Sequence, residues 1–167
     1  LFGETVLPEG ETYTFWGKGV SQGHSDAVRR VPGVKNGVQY TVPSEEAMER
    51  VRNGEQPTLS TREKHTRECY VVLKDDADAE KVRHSIATMP DYFADYDTTV
   101  HFIDEATLDQ EHRSMPHGGF VIRSGITGEG NKQTIEYSLA LASNPEFTAS
   151  VLVAYARAVH RLASSGE

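Results

Sequence analysis

The sequence has almost no cysteine. Cys69 is the one cysteine among 167 residues, so no disulfide can form within the chain. Such sparing use of cysteine suits a reducing compartment, and we expect a cytoplasmic protein. No apolar run approaches the roughly 20 residues that a membrane-crossing helix needs, and no charged-then-apolar signal segment opens the chain. We therefore expect a soluble protein without a membrane partner.

Positive charge is also scarce. The chain has 17 Lys and Arg against 25 Asp and Glu, a net charge of −8. With no basic stripe interleaved with aromatic residues, nucleic acid is not an expected partner. At 37% hydrophobic residues, a chain of this length predicts one domain that buries its own core.

Familiar catalytic and cofactor motifs are missing. Residues 15–30, FWGKGVSQGHSDAVRR, form a glycine-rich loop that runs into a predicted helix. The third glycine, Gly23, comes one residue late for the G-x-G-x-x-G dinucleotide fingerprint, and no buried strand pattern precedes the loop. The sequence has no H-E-x-x-H, and the spacing of the seven histidines predicts no metal site. We assign no catalytic, cofactor-binding or metal-binding residue from these motifs.

Strand and helix patterns alternate along the chain. Six segments read as strands: 12–16, 34–42, 64–73, 98–103, 119–126 and 133–141. Helical patterns follow Ser44, Asp78, Asp104 and Ser143, and residues 53–62 read as a polar loop. We predict an α+β domain with one mixed, mostly antiparallel sheet of about six strands and helices mainly on one face. The apolar stripe of the last helix, Phe147, Val151, Ala154, Ala158 and Leu162, is expected to pack against this sheet.

Two polar residues occupy unusual positions. Arg67 lies inside the strand pattern KHTRECYVVL, where a buried guanidinium needs a planar anion. A ligand carboxylate or a structural acid such as Glu68 would serve, and the pattern leaves both possibilities open. His117 lies in SMPHGGF, directly before an apolar strand, and is either a binding residue or an incidental residue of a turn.

The motifs FWGKGVSQGHSDAVRRVPGV, VQYTVPSE, MPDYF, FIDEAT, MPHGGFVI and NPEFTAS, in this order, resemble the meso-diaminopimelate dehydrogenase family. The similarity runs from about Tyr13 to the end of the chain. It implies an NADP-dependent oxidoreductase of lysine and peptidoglycan metabolism. Such an enzyme reversibly deaminates the D-centre of meso-2,6-diaminopimelate to L-2-amino-6-oxopimelate and ammonia.

The resemblance also implies how the chain is organised. Residues 1–167 are similar to the substrate-binding and dimerisation domain of such a two-domain NAD(P) dehydrogenase, with the NADP-binding domain lying outside this sequence. We expect a homodimer that is catalytically inert without that domain. The catalytic acids of the family would lie in the other domain.

Seven positions carry over from the family as substrate contacts. Trp16 would pack beside the aliphatic chain of the ligand, with Gln22 and Gly23 near its reacting end. Thr41, Arg67 and His117 would hold the carboxylate at the distal L-centre, and Asn144 would help at the other end. Two alternatives stay open: a non-catalytic ligand-binding or dimerisation module, and a relative that acts on another amino or keto acid.

Overall fold

The computed structural model describes residues 2–166 and contains seven strands and seven helices within that range. The strands are β1 (Gly10–Trp16), β2 (Gly19–Val20), β3 (Val34–Pro43), β4 (His65–Leu73), β5 (Asp97–Phe102), β6 (His117–Thr127) and β7 (Asn131–Leu141). The helices are α1 (Phe2–Val6), α2 (Gln22–Arg29), α3 (Glu45–Arg52), α4 (Thr61–Lys64), α5 (Ala79–Ala87), α6 (Glu105–Glu111) and α7 (Asn144–Ser165). No described helix is both long enough and apolar enough to cross a membrane.

One sheet has four strands in the order β2-β3-β4-β5. β3 and β4 are antiparallel, which places Thr41 directly opposite Arg67, while β4 and β5 are parallel. Alternate residues of β4 point into a core, and that core is completed by helical residues at i, i+4 spacing. Its buried members are Val28, Val31, Val34, Cys69, Val71, Val82, Ile86, Phe93 and Val100.

The other sheet has three antiparallel strands in the order β1-β6-β7. Helix α3 covers one face of it, and the shared core contains Phe15, Ala47, Met48, Val51 and Ile122. The hydroxyl of Ser44 caps α3 by accepting a hydrogen bond from the Ala47 N–H. The cap, the acids of the first turn and the end at Asn53 all agree with the sequence prediction.

The α+β class is confirmed, and all six predicted strands form. They are divided between two sheets, with the chain passing from β1 into the added strand β2 through Gly17 and Lys18. A two-residue strand such as Gly19–Val20 leaves no periodic pattern to find. Helix α4 lies at the end of the predicted loop. Its capping box, Ser60 with Glu63, is a signal that the sequence does contain as S-T-R-E.

The prediction for the stripe of α7 is wrong. None of the residues of α7 is buried, and Phe147 and Leu162 remain 43% and 50% exposed. The outer side of β7 is also uncovered, with Tyr137 and Leu139 exposed. Helical periodicity predicted correctly that α7 has an apolar face, but within residues 2–166 no residue of that face is buried.

Candidate functional site

A cavity of about 370 Å³ opens where the two sheets meet. Its lining comes from strands β1, β3, β4 and β6 and from helices α2 and α4. Two further lining residues lie directly before α2 and before β5. The lining residues are Thr14, Trp16, Ser21, His24, Thr41, Thr61, Lys64, His65, Arg67, Tyr96 and His117. Four of the seven predicted contacts are therefore together: Trp16, Thr41, Arg67 and His117.

Arg67 is buried without an acidic partner. Its side chain is 6% exposed, and its Nη1 donates a hydrogen bond to the hydroxyl of Thr41, its neighbour across the β3–β4 ladder. Its Nε has no hydrogen-bond partner, and no carboxylate within residues 2–166 forms a salt bridge with it. Burial lowers the pKa of this guanidinium from its usual value. A buried cation left in this state is a strong site for an anion.

The structural pairing with Glu68 does not form. Successive residues of a strand point to opposite faces, so Glu68 lies on the other side of β4 from Arg67. There the Glu68 carboxylate is 3.6 Å from the Lys18 ammonium and accepts a hydrogen bond of 3.3 Å from the Tyr70 hydroxyl. The guanidinium of Arg67 is thus left available to a ligand.

His117 begins β6 and forms one wall of the cavity together with Trp16. Their rings are parallel to within 6°, with centroids 6.1 Å apart. Nδ1 of His117 is buried and has no hydrogen-bond partner, and burial lowers the pKa of the ring. The His117 ring also lies against the backbone at position 19. That position needs a glycine, because a Cβ there would clash with the ring. Gly19 thus makes room for the His117 ring, and Gly17 makes room for the Thr41 carbonyl.

Two further histidines line the cavity and were not assigned to it from the sequence. Nε2 of His65 accepts a 2.8 Å hydrogen bond from the Trp16 N–H, so this ring is neutral with its proton on Nδ1. Nδ1 of His24 lies 2.7 Å from the Ser21 hydroxyl. Burial lowers the pKa of each ring to about 4. The positive charge of Arg67 adds to the effect on both, as does Lys64 for His65.

The three remaining predicted contacts lie outside the cavity. The Gln22 side chain donates to Sδ of Met115 at 2.6 Å, and the Asn144 N–H donates to the Met115 carbonyl at 3.2 Å. Both residues therefore border the segment that leads into His117. Gly23 lies on the outer side of α2, where it lines a separate cavity with Tyr92. None of these three residues lines the cavity around Arg67, so their roles in substrate binding stay predictions.

Seven residues of the lining were not assigned to the site from the sequence: Thr14, Ser21, His24, Thr61, Lys64, His65 and Tyr96. His65 had a usable signal, because residues 65 and 67 of one strand share a face. Tyr96 and His24 come from a turn and a helix, and no local pattern links either to Arg67. Within residues 2–166, no group of three or more His, Cys, Asp or Glu side chains could hold a metal ion.

Fold and site together define an α+β domain with a cavity that contains a buried guanidinium without an acidic partner. The chain belongs to the diaminopimelic acid dehydrogenase C-terminal domain family, whose model matches residues 1–143. It is 68% identical over 167 residues to the meso-diaminopimelate D-dehydrogenase of Ureibacillus thermosphaericus, covering 100% of this chain and 51% of that protein. The chain thus spans about half the length of the curated relatives it matches.

Two solved structures share the fold. One is a meso-DAP dehydrogenase from Clostridium tetani E88 with six substitutions and with DAP, 57% identical with a TM-score of 0.89. The other is an engineered D-amino acid dehydrogenase bound to NADP+, 49% identical with a TM-score of 0.84. Each match covers 99% of this chain and 51% of the other.

Proposed function

We propose that this chain is the substrate-binding domain of an NADP-dependent dehydrogenase. The enzyme reversibly deaminates the D-centre of meso-2,6-diaminopimelate to L-2-amino-6-oxopimelate and ammonia. The observation that carries the proposal is the buried guanidinium of Arg67, which has a hydroxyl and an imidazole beside it and no acid to neutralise it. A carboxylate fits this set because it accepts from all three groups.

A spacing comparison supports the assignment of contacts. The six residues replaced in the Clostridium tetani variant are, in order, Gln, Thr, Arg, Pro, His and Asn, at intervals of 19, 26, 49, 1 and 27 positions. The same residue types occur here at the same intervals: Gln22, Thr41, Arg67, Pro116, His117 and Asn144. Six residues changed together in a variant studied with DAP are good candidates for ligand contacts, and five of them were predicted here.

Selection of the D-centre follows from distance. A diacid with two amino groups needs two carboxylate sites at a fixed separation, and a guanidinium on a rigid strand positions one of them. With the distal end held by Thr41, Arg67 and His117, the other end extends toward the rim near Gln22 and Asn144. Binding energy from the distal end then helps hold the reacting carbon in place and contributes to turnover as well as affinity.

The glycine-rich loop at 17–23 departs from the dinucleotide fingerprint, and a Cβ at Gly17 or Gly19 would meet the Thr41 carbonyl or the His117 ring. We therefore assign NADP to another part of the full-length protein. NADP bound there would accept the hydride, and this chain would bind the substrate.

The test uses the full-length protein that contains this chain. Arg67→Met should reduce kcat/KM for meso-2,6-diaminopimelate by about 30-fold to 1,000-fold, on the order of 2 to 4 kcal/mol, because a charge-assisted contact is lost. Thr41→Val removes a neutral hydroxyl donor to the carboxylate and should cost less. Unchanged turnover of Arg67→Met at subsaturating substrate would exclude the site. The isolated 167-residue chain should form no NADPH.

Two rival functions give different results in the same assay. A relative acting on another amino acid would turn over simple D-amino acids better than diaminopimelate. A non-catalytic module would bind diaminopimelate without any NADPH formation by the full-length protein. We favour the dehydrogenase because the pocket matches an acid and the chain belongs to this family.

We also propose a cytoplasmic homodimer. An exposed apolar surface runs along α7 and β7, and a sheet or helix face of this kind is commonly buried against a second copy. Its exposed members include Tyr137, Leu139, Phe147, Leu152, Val153, Tyr155, Val159 and Leu162. The single cysteine suits the reducing cytoplasm.

Sedimentation tests the dimer. Leu152→Glu should convert the full-length protein to a monomer, because it places a charge in the proposed apolar contact. Lys81→Glu on the exposed side of α5 is the control and should leave the dimer intact. A monomeric wild-type protein would refute the proposal.

A further inference from the structure

Arg67 has a second neighbour besides Thr41. The carbon at the centre of its guanidinium lies 3.9 Å from the centroid of the Tyr96 ring, within the range of a strong cation–π contact. Of the four cation–π contacts that the described residues form, this is the shortest, and it involves a cation that is 6% exposed. Such contacts are worth most when water is excluded.

Strand pairing aims Tyr96 at Arg67. β4 and β5 are parallel, and Arg67 is paired with Thr98. Tyr96 lies in the turn directly before β5, two residues before Thr98, and its ring stands beside the Arg67 guanidinium. The turn that carries Tyr96 is fixed at its base by the fully buried Phe93, whose carbonyl accepts from the Tyr96 N–H at 3.0 Å.

A surface contact holds the same turn from outside. Arg62 of α4 donates to the Asp97 carboxylate at 2.7 Å and to the Ala94 carbonyl at 3.3 Å. The residues on either side of Tyr96 are thus tied to the body of the protein. This makes the ring a rigid platform.

The choice of an aromatic ring has a chemical consequence. Buried arginines are ordinarily stabilised by a carboxylate, which occupies the fork of donors and cancels the charge. The π face of a tyrosine stabilises the cation without cancelling its charge, and the guanidinium keeps donors for a ligand besides the Nη1–H that bonds Thr41. Nε of Arg67 is unpartnered in this arrangement.

We propose that Tyr96 is a positioning residue that holds the Arg67 fork in place and makes the pocket selective for a carboxylate over a neutral group. The proposal rests on the function proposed above, because it concerns the same end of the substrate. Tyr96 acts through Arg67 and takes no part in the reaction.

The experiment compares Tyr96→Leu and Tyr96→Phe in the full-length protein with NADP. Tyr96→Leu should raise KM for meso-2,6-diaminopimelate about tenfold or more with kcat changed less than about threefold, since binding at the distal end is weakened. Tyr96→Phe keeps the ring and should stay within about threefold of the wild-type KM. Asp95→Asn changes an exposed residue beside Tyr96 in the same turn and is the control.

Selectivity distinguishes positioning from folding. The second substrate is diaminopimelate whose distal L-centre carboxylate is replaced by an amide. Tyr96→Leu should lower the ratio of kcat/KM for the acid to kcat/KM for the amide. A general loss of structure would instead lower both kcat/KM values by the same factor. An unchanged ratio, or a wild-type KM in Tyr96→Leu, overturns the proposal.

Binding of pimelate, the seven-carbon diacid without amino groups, separates the two proposals. Calorimetry should show about tenfold weaker pimelate binding by Tyr96→Leu than by the wild type. Suppose that the wild-type protein binds pimelate more tightly than Tyr96→Leu does but does not oxidise diaminopimelate. The proposed dehydrogenase function then fails, and the role of Tyr96 stands. Equal pimelate binding by both proteins refutes the role of Tyr96.

Discussion

Helices α5 and α7 have the same kind of apolar stripe and very different surroundings. In α5, Val82 and Ile86 are 2% and 0% exposed and pack into the core of the four-stranded sheet. In α7, the stripe from Phe147 to Leu162 remains open, and no residue of that described helix is buried. Periodicity shows which face of a helix will be covered, but it does not show whether the cover comes from the same chain.

The same contrast applies to polar groups. Arg123 is buried like Arg67, but its guanidinium is satisfied within the chain by the carbonyls of Leu7 and Pro8 and by the Thr12 hydroxyl. Arg67 has one hydroxyl and one aromatic ring and keeps an unpartnered Nε. Arg123 is a structural residue, whereas the unpartnered Nε of Arg67 makes that guanidinium a candidate for ligand binding.

The largest expected effect separates the two helices. Ile86→Ala should lower the free energy of unfolding by about 2 to 5 kcal/mol, because it opens a cavity in a closed core. Leu162→Ala on α7 should change it by less than about 0.5 kcal/mol at concentrations where the protein is monomeric. Urea denaturation of both variants measures the difference. Equal losses would mean that α7 is covered within its own chain.

The next effect is pH dependence at the pocket. His65 has a pKa of about 4 in the folded protein, below its ordinary value, so the unfolded chain takes up this proton first as the pH falls. Stability is therefore unaffected above about pH 6.5 and falls between about pH 6.5 and 4. The loss should be on the order of 1 to 2 kcal/mol, discounted because the cavity is open to water.

His65→Gln tests this effect, because its side-chain oxygen can still accept from the Trp16 N–H. The stability of this variant should fall less steeply between pH 6.5 and 4 than that of the wild type, in thermal melts at constant ionic strength. Gln110→Ala, at an exposed position of α6, removes no titratable group and should leave the slope unchanged. A parallel pH dependence for His65→Gln and the wild type would show that His65 does not titrate as stated.

The smallest effect concerns the salt bridge between Arg52 of α3 and Glu136 of β7. Arg52 donates two hydrogen bonds, of 2.9 and 3.0 Å, to the Glu136 carboxylate. The pair is partly exposed, so Arg52→Ala should cost only about 0.5 to 1 kcal/mol. A double-mutant cycle with Glu136→Gln measures the coupling by urea denaturation. A coupling above about 2 kcal/mol would show that β7 depends on this pair more than its exposure implies.

Sequence reasoning recovered the elements and part of the site. The strands around Thr41 and Arg67 were found because β-branched and apolar residues alternate there, and the same alternation separates Arg67 from Glu68. Which strands share a sheet depends on pairing between distant segments, and one predicted sheet became two. Tyr96 and His24 approach Arg67 only after folding, so no local pattern could have named them. The stripe of α7 was recognised, but its partner was assigned wrongly.

The most direct test of the central claim is a crystal structure of the full-length protein with meso-2,6-diaminopimelate. We predict that the carboxylate of the distal L-centre lies in the cavity. Its oxygens should be about 3 Å from the Arg67 guanidinium, the Thr41 hydroxyl and the His117 ring. A ligand bound elsewhere, or an Arg67 fork occupied by a carboxylate of the protein itself, would contradict it.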